Sequence, residues 1–406
     1  MPILFISNTL MSLNIALVSD MFYPGRGGVE THILELAHAF IKLNHNVIVI
    51  THKYKNYSGI VYIDKIKVYY LNIPILARNV AWPCLYTGIN LYKQIFIENK
   101  INVVHGHQTH SPMALEAIFH ANFLGIKTVL TEHSIYDLDK LESYFADYVI
   151  KYTLLDIDKI ICVSNVCKQN ILDRFSIFTE DRIKVIPNGV NNEIFKIKKR
   201  NRYDNSQRIC IITRFEIRKG IDLLLESIPM LCKNKRIKIT IVGDGTKKDE
   251  LLFMIDEKQL HDQVEIFNFM SHEEVAEIMR DSDVLLNTSL TESFCMTVVE
   301  ATMCGLAVVT TNVGGINELK TNKNVFYCKP EANDIVDQVE KAIQTKLTGE
   351  IIFINEYDWN NIAAELINIY KEEKLIKNPG CYKKYKKHFN ILLLIFLFIE
   401  KLILGK

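Results

Sequence analysis

The sequence predicts two successive doubly wound α/β domains, each a parallel sheet covered by helices on both faces. Three observations carry this reading. Short β-branched runs alternate with helical patterns along most of the chain. A charged stretch without apolar periodicity, KIKKRNRYDNSQ at 196–207, interrupts the alternation. After it the alternation starts again. With 406 residues, 49% hydrophobic and 23% charged, the chain can bury two cores of this kind.

In chain order, MPILFISNTLMSLNIALVSD opens with apolar residues but has no basic n-region and no small-residue cleavage site. Residues 1–12 therefore read as a leader before the first strand, with Met11 a second candidate start. The first domain, 13–195, carries the strand candidates NIALVSD, NVIVITH, INVVHGH, IKTVLTEH, DKIICVS and IKVIPNG, with helical patterns at 29–43 and 112–124. Residues 196–207 form the linker. The second domain, 208–375, carries RICIITRF, IKITIVGDG, QVEIFNF, DVLLNTS, LAVVTTN and NVFYCK, and its last helix is expected to pack back on the first domain. A basic stretch, 376–390, then precedes an apolar segment, 391–404. The apolar run from Ile391 to Ile399 is shorter than the roughly 20 residues that span a bilayer, and Glu400 and Lys401 break it. Lysines just ahead of it favour membrane association with the basic side cytoplasmic.

The net charge of +1 and the lack of a basic tract interleaved with aromatics exclude a nucleic-acid surface. Nine cysteines are scattered, and only Cys162 and Cys167 lie close together. That spacing fits neither a zinc site nor a disulfide framework, so the thiols are expected to be reduced and packed.

Polar clusters gather at the carboxyl ends of the strands, where such sheets bind ligands. After the first strand, Gly25, Gly27 and Gly28 lead into a helix whose free N–H groups would favour an anion; taken alone this is equally an ordinary strand–helix turn. In VLTEHSIYD, His133 ends a strand, and His105, His107 and His110 in VVHGHQTH share that edge. His133 reads as catalytic or substrate-contacting, against the plainer role of a hydrogen-bonded structural histidine. No carboxylate completes a metal set, so no metal is expected. In the second half, Arg214 ends a strand and Lys219 stands before a helix. Such a fork and point charge suit a diphosphate, although a solvated loop would look the same locally. Gly243 and Gly245 follow another strand, in a loop where backbone can approach the donor nucleotide, and Asn188 and Gly189 close the last strand of the first domain near the cleft; locally both are equally ordinary turns.

LTESFCMTVVEATMCGLAVVT holds Glu292 and Glu300 eight positions apart with no charge between them. A buried, unpaired carboxylate is costly, so each needs a polar partner. If a helix began just after Glu292, its rise would separate the two by roughly 12 Å. Glycosidase pairs stand about 5 to 9.5 Å apart, so direct acid/base pairing is disfavoured. One carboxylate per sugar ring with a diphosphate between is a sensible span. Glu300 would then take ribose hydroxyls, Glu292 the transferred sugar, and Arg214 with Lys219 the diphosphate.

Together, GGVE, R-x4-K, VGDG and E-x7-E resemble the retaining glycosyltransferases of the GT-B fold over residues 13 to 375. Within them, VSDMFYPGRGGVETHI, TEHS, CVSNVCKQN, RKGIDLL, LNTSLTESFCMTVVEA and VGGINEL resemble the catalytic subunits of phosphatidylinositol N-acetylglucosaminyltransferases, which start glycosylphosphatidylinositol (GPI) anchor synthesis. Cys295-Met296 stands where many GT-B relatives carry glycine. The resemblance implies transfer of N-acetylglucosamine from UDP-N-acetylglucosamine to phosphatidylinositol with retention, without a metal, because basic residues and helix N-termini take the leaving charge. It implies that Glu292 positions the sugar, that His133 contacts the sugar or the reacting edge, and that the backbone of Phe294, Cys295 and Met296 meets sugar hydroxyl and phosphate oxygens. Gly27 and Gly28 would admit acceptor or phosphate. It further implies partner subunits, a membrane anchor and catalysis on the cytoplasmic face of the endoplasmic reticulum.

Three rivals share parts of this pattern. The same donor chemistry could serve another lipid or a soluble acceptor; an epimerase of similar architecture would not need E-x7-E; a non-catalytic scaffold would have no reason to keep Arg214, Lys219, Glu292 and Glu300 together.

Overall fold

The computed structural model describes residues 12–77, 80–81, 89–136, 147, 149–198, 204–321, 324–345 and 355–374. The expected leader up to Met11, the basic stretch 376–390 and the apolar segment 391–404 lie outside them. Among the described residues no helix is long and apolar enough to cross a membrane.

Two compact units emerge. The first holds the chain up to Cys162, then Lys168–Val185, and the chain from Ala363 on; the second holds Val163–Cys167 and Ile186–Ile362. The division therefore differs from a single cut at 196–207. Residues 186–195 belong with the second unit, and the last helix passes from one unit into the other.

The strands of the first unit are β1 Asn14–Val18, β2 Asn46–His52, β3 Gly59–Ile63, β4 Ile66–Leu71, β5 Ile75–Ala77, β6 Val80–Ala81, β7 Val103–His107, β8 Lys127–Glu132, β9 Lys159–Cys162 and β10 Ile183–Val185. β5 and β6 pair only with each other, and the rest form an eight-stranded sheet in the order β10-β9-β8-β7-β1-β2-β4-β3. All pairs in that sheet are parallel except β3 with β4. β1 is buried along Ile15–Val18 without alternation, as a strand covered on both faces must be. Helix α1 (Gly28–Lys42) turns Ile33, Leu36, Ala37 and Phe40 inward, the spacing of one helical face. The β3–β4 hairpin lies outside the expected strands. Its two-residue turn, Asp64-Lys65, has both residues at positive φ without a glycine or asparagine to announce it. Beyond it, α2 (Ile89–Glu98) and α3 (Pro112–Phe123) complete the helices before β8.

The second unit has the strands β11 Gln207–Ile212, β12 Ile237–Val242, β13 Val264–Phe267, β14 Val284–Asn287, β15 Ala307–Thr311 and β16 Val325–Cys328. They form a fully parallel six-stranded sheet, β13-β12-β11-β14-β15-β16. Ile209, Ile239, Ile241, Leu286 and Val309 share one core with Leu224 and Ile228 and with Ile335 and Val339 from the covering helices. Burying each such side chain contributes about 1.5–3 kcal/mol.

In both sheets the order reverses at a central strand. The first chain path runs outward from β1 through β2 to β4, then returns to β7 on the other side; the second runs from β11 to β13, then returns to β14. Connections that diverge in this way leave a crevice at the strands' carboxyl ends. The sites below lie at those two places.

Candidate active site

In the first unit, the carboxyl ends of β1, β7 and β8 collect buried polar groups. Asp20 is fully buried after β1. Its carboxylate accepts from the Ser111 hydroxyl and from the Met113 amide at 3.4 Å, while the Ser111 oxygen accepts from Ala114 N at 3.1 Å and so caps α3. Glu132, also fully buried, accepts Thr109 N at 3.0 Å, His133 N at 2.8 Å and Ser134 N at 3.0 Å. Burial raises its carboxyl above the ordinary range against the pull of those hydrogen bonds. The three amides pin the backbone on which His133 stands.

His133 does not stand alone. Its Nε2 lies 3.2 Å from Nδ1 of His107, and the rings stack at 5.5 Å. His32, from α1, meets both rings edge-on, at 5.3 Å to His107 and 4.6 Å to His133. His105 stacks on His107 at 4.4 Å. Burial, then the mutual repulsion of neighbouring imidazoles, holds His107 and His133 well below their ordinary value and His105 at about 3. Ring nitrogens of His32, His107 and His133 come within 4.8 Å of one another, enough to be weighed as a metal set. The 3.2 Å contact is a hydrogen-bond distance, and the nitrogens of two ligands on one tetrahedral ion would stand about as far apart. His110 stacks instead on Tyr136 at 3.9 Å, outside this group.

The glycine loop opens α1 with Gly27 as its N-cap, in extended backbone. A Cβ on Gly27 would fall 2.7 Å from Oε2 of Glu30, so the close approach that this glycine permits is already used by the chain's own carboxylate. A Cβ on Gly28 would meet nothing within 4 Å.

In the second unit, Lys219 and Glu292 come together at the carboxyl ends of β11 and β14. The Lys219 ammonium donates to Oε1 of Glu292, and the Ser289 hydroxyl donates to the same oxygen at 2.8 Å. Glu292 is 9% exposed. Burial works to raise its pKa, but the charge and hydrogen bond of Lys219, with Ser289 and Arg218, outweigh it and hold the carboxyl below its ordinary value. Glycines seat this loop. Gly220, at φ 70°, packs where a Cβ would lie 1.9 Å from the Thr288 carbonyl, and Gly314, at φ 54°, where one would lie 2.0 Å from the Glu292 carbonyl. Gly315 N donates to that same carbonyl at 2.9 Å. In the same turn, the Glu318 carboxylate accepts Asn165 N and Val166 N, each at 2.7 Å.

Arg214 is exposed just past β11. Gly243 follows β12, and a Cβ there would overlap the Thr213 carbonyl at 1.8 Å, so packing of backbone on backbone within the unit already requires this glycine. Phe294 is buried against Tyr357. The helix carrying Glu300 starts at Met296, three residues later than an immediate start after Glu292, because Cys295 takes a left-handed conformation at φ 69° and caps it. The single-helix spacing between the two glutamates therefore does not apply. Glu300 lies buried in this helix. Cys295 sits against Glu292, and burial, then that carboxylate, pushes its thiol well up, with the Lys219 charge opposing. Gly189, read as a turn, lies flat beneath the Trp359 indole, at 2.4 Å from a would-be Cβ. Sequence reasoning does not single out Asp20, Glu132, His32, Ser289 or Glu318. The motifs VSDMFYPGRGGVETHI and TEHS contain three of them, Asp20, His32 and Glu132.

Comparisons with known proteins bear on the family and the fold. The family model for glycosyl transferases group 1 matches residues 192–351, and that for glycosyltransferase family 4 matches residues 26–194. The A-type phosphatidylinositol N-acetylglucosaminyltransferase subunit of Homo sapiens is 35% identical, covering 95% of this chain and 84% of its own length. Its namesake from Arabidopsis thaliana is 37% identical over 88% and 81%, and the GPI3 subunit of Saccharomyces cerevisiae 35% over 89% and 83%. Among solved structures, a glycosyltransferase from Rickettsia africae superposes with a TM-score of 0.70 at 22% identity, covering 89% of this chain and 98% of its own. Anabaena Alr3699/HepE in complex with UDP and glucose gives 0.67 at 17%, covering 89% and 100%. The chain is a glycosyltransferase of the GT-B fold and belongs to the family of GPI3-type phosphatidylinositol N-acetylglucosaminyltransferase subunits.

Proposed function

We propose that this chain transfers N-acetylglucosamine from UDP-N-acetylglucosamine to the inositol ring of phosphatidylinositol, retaining the anomeric configuration, as the first step of GPI-anchor synthesis. The observation that carries the reading is the ionised Glu292 carboxylate, held by Lys219 and Ser289 at the reversal point of the second sheet. An anionic, hydrogen-bonding carboxylate there suits sugar hydroxyls, and the adjoining cation suits a diphosphate. The relatives' names supply the acceptor and describe subunits, so the chain is expected to work with partner subunits at a membrane. We place it at the endoplasmic reticulum with its catalytic units on the cytoplasmic face.

In this reading Lys219 and Arg214 take the leaving diphosphate without a metal, Glu292 orients the sugar and Glu300 the ribose. A diphosphate oxygen accepts the acceptor's proton on the same face. His133 contacts the sugar or the reacting edge.

The test is transfer of radiolabel from UDP-N-acetylglucosamine to phosphatidylinositol in membranes that lack this catalytic component of their own but are supplied with this chain. Labelled lipid is expected from the intact chain and none from Glu292→Ala at equal abundance. An intact chain that makes no lipid with its partner subunits present would sink the acceptor assignment.

A further inference from the structure

We infer that His107 is a positioning residue that fixes His133 in the neutral tautomer with its proton on Nδ1, so that His133 meets substrate as a hydrogen-bond donor and not as a base. The inference rests on the proposed place of His133 at the reacting edge.

The argument is an accounting of protons. One contact of 3.2 Å joins His107 Nδ1 to His133 Nε2, and two neutral rings can place only one proton in it. The other nitrogen of His107, Nε2, is buried with no hydrogen-bond partner among the described residues. Were the His107 proton on Nε2, a buried N–H would be orphaned, the rarer arrangement in folded proteins; a bare lone pair is better tolerated. The proton therefore sits on Nδ1 and is donated to Nε2 of His133. With Nε2 accepting, the single proton of neutral His133 is on Nδ1.

The surroundings keep this choice. His105 is held at both nitrogens, 2.6 Å from the Tyr370 hydroxyl and 2.7 Å from Thr131 Oγ1, and its ring stacks on His107 at 26°. His107 is thus clamped in plane. His32 meets both rings edge-on. Glu132, next to His133 in the chain, spends its oxygens on backbone amides and on the Thr109 side chain. A neutral imidazole presenting N–H can polarise a sugar or leaving-group oxygen, but cannot take a proton through that nitrogen.

The test uses the full chain in the transfer assay, with UDP release measured beside lipid labelling across about pH 5.5 to 8. In His107→Asn the amide nitrogen replaces Nδ1–H; in His107→Asp an acceptor replaces the donor; His107→Leu offers neither. The expectation is that Asn keeps kcat within about threefold, whereas Leu and Asp lose tenfold or more with KM for the donor within twofold. Asp is also expected to add a new pH limb, because it favours a cationic His133. Asp as active as wild type with Asn as poor as Leu would mean the opposite tautomer and overturn the inference, as would three variants all equal to wild type. If the His107 variants fail to accumulate, Nδ1-methylhistidine at position 133 removes the donor and leaves His107 untouched. Activity retained by that chain overturns the inference, and a tenfold loss with unchanged donor KM supports it. A wild-type chain that releases UDP without labelling phosphatidylinositol ends the acceptor reading alone, since UDP release still ranks the variants.

Discussion

The ammonium of Lys219 donates directly to the carboxylate of Glu292, and Ser289 donates to the same oxygen, so a partly buried cation and a buried carboxylate are paired with each other. Removing one leaves the other uncompensated. Lys219→Ala is expected to destabilise the chain by about 3 kcal/mol. Glu292→Gln should cost less stability but lower transfer by about a hundredfold or more, because the anionic acceptor is lost. The lowered pKa of Glu292 adds stability that is fully present above the ordinary carboxylate range and fades as pH falls through the lowered value. Lys219→Ala should remove that acid limb. Thermal melts of both variants from about pH 3 to 7, beside transfer assays, check this; a Lys219→Ala chain melting like wild type would refute the pairing.

Three glycines separate packing from ligand access. Gly220 and Gly314 combine left-handed backbone with a carbonyl about where a methyl group would go, at 1.9 and 2.0 Å. Alanine at either must displace the loop that carries Glu292, with an expected loss of about 2–4 kcal/mol. At Gly28 nothing lies within 4 Å, and an alanine there is expected to leave the melting temperature unchanged or slightly raised. Any fall in transfer by Gly28→Ala would then report on substrate approach. A destabilised Gly28→Ala chain would contradict the open space at that loop.

The alternation of strands and helices is readable because both sheets are parallel and buried, which forces continuous apolar runs such as Ile15–Val18. The β3–β4 hairpin escapes because its turn uses Asp64 and Lys65 where a glycine would have marked it. Lys219 and Glu292 are legible as chemistry, but 73 residues of sequence hide their direct contact. The helix start at Met296 is hidden for another reason: Cys295 adopts a backbone conformation that its identity does not advertise. The histidines at 105, 107 and 133 line one edge in the sequence reading, whereas His32 joins them only through the packing of α1 on the sheet.

The same histidines should make the first unit acid-labile. His105 is held at about 3, His110 at about 4, and His107 and His133 well below their ordinary value, in each case chiefly by burial. Between those values and about 6.5 the unfolded chain binds protons that the folded chain refuses, so stability falls as pH drops. Each such group contributes up to about 1.4 kcal/mol per pH unit. Melting temperature is therefore expected to fall steeply from pH 7 to 5, and His105→Asn should flatten the slope by about one histidine's share. A slope unchanged by that substitution would show that other groups govern the acid limb.

Cys295 offers the last prediction, because the residue that caps the helix of Glu300 stands at φ 69°, where an L-residue costs about 1–2 kcal/mol. Glycine relieves that strain but gives the unfolded chain more freedom, at about 0.5–1 kcal/mol. The net expectation for Cys295→Gly is a stabilisation of about 0.5–1 kcal/mol. Cys295→Val, β-branched at the same backbone, is expected to lose about 2 kcal/mol. The thiol's closeness to Glu292 separates shape from chemistry. If Cys295→Gly melts higher and transfers as fast as wild type, the side chain contributes only its volume. A more stable but slower Cys295→Gly enzyme would mean that the thiol helps to hold the Glu292 carboxylate in its working orientation.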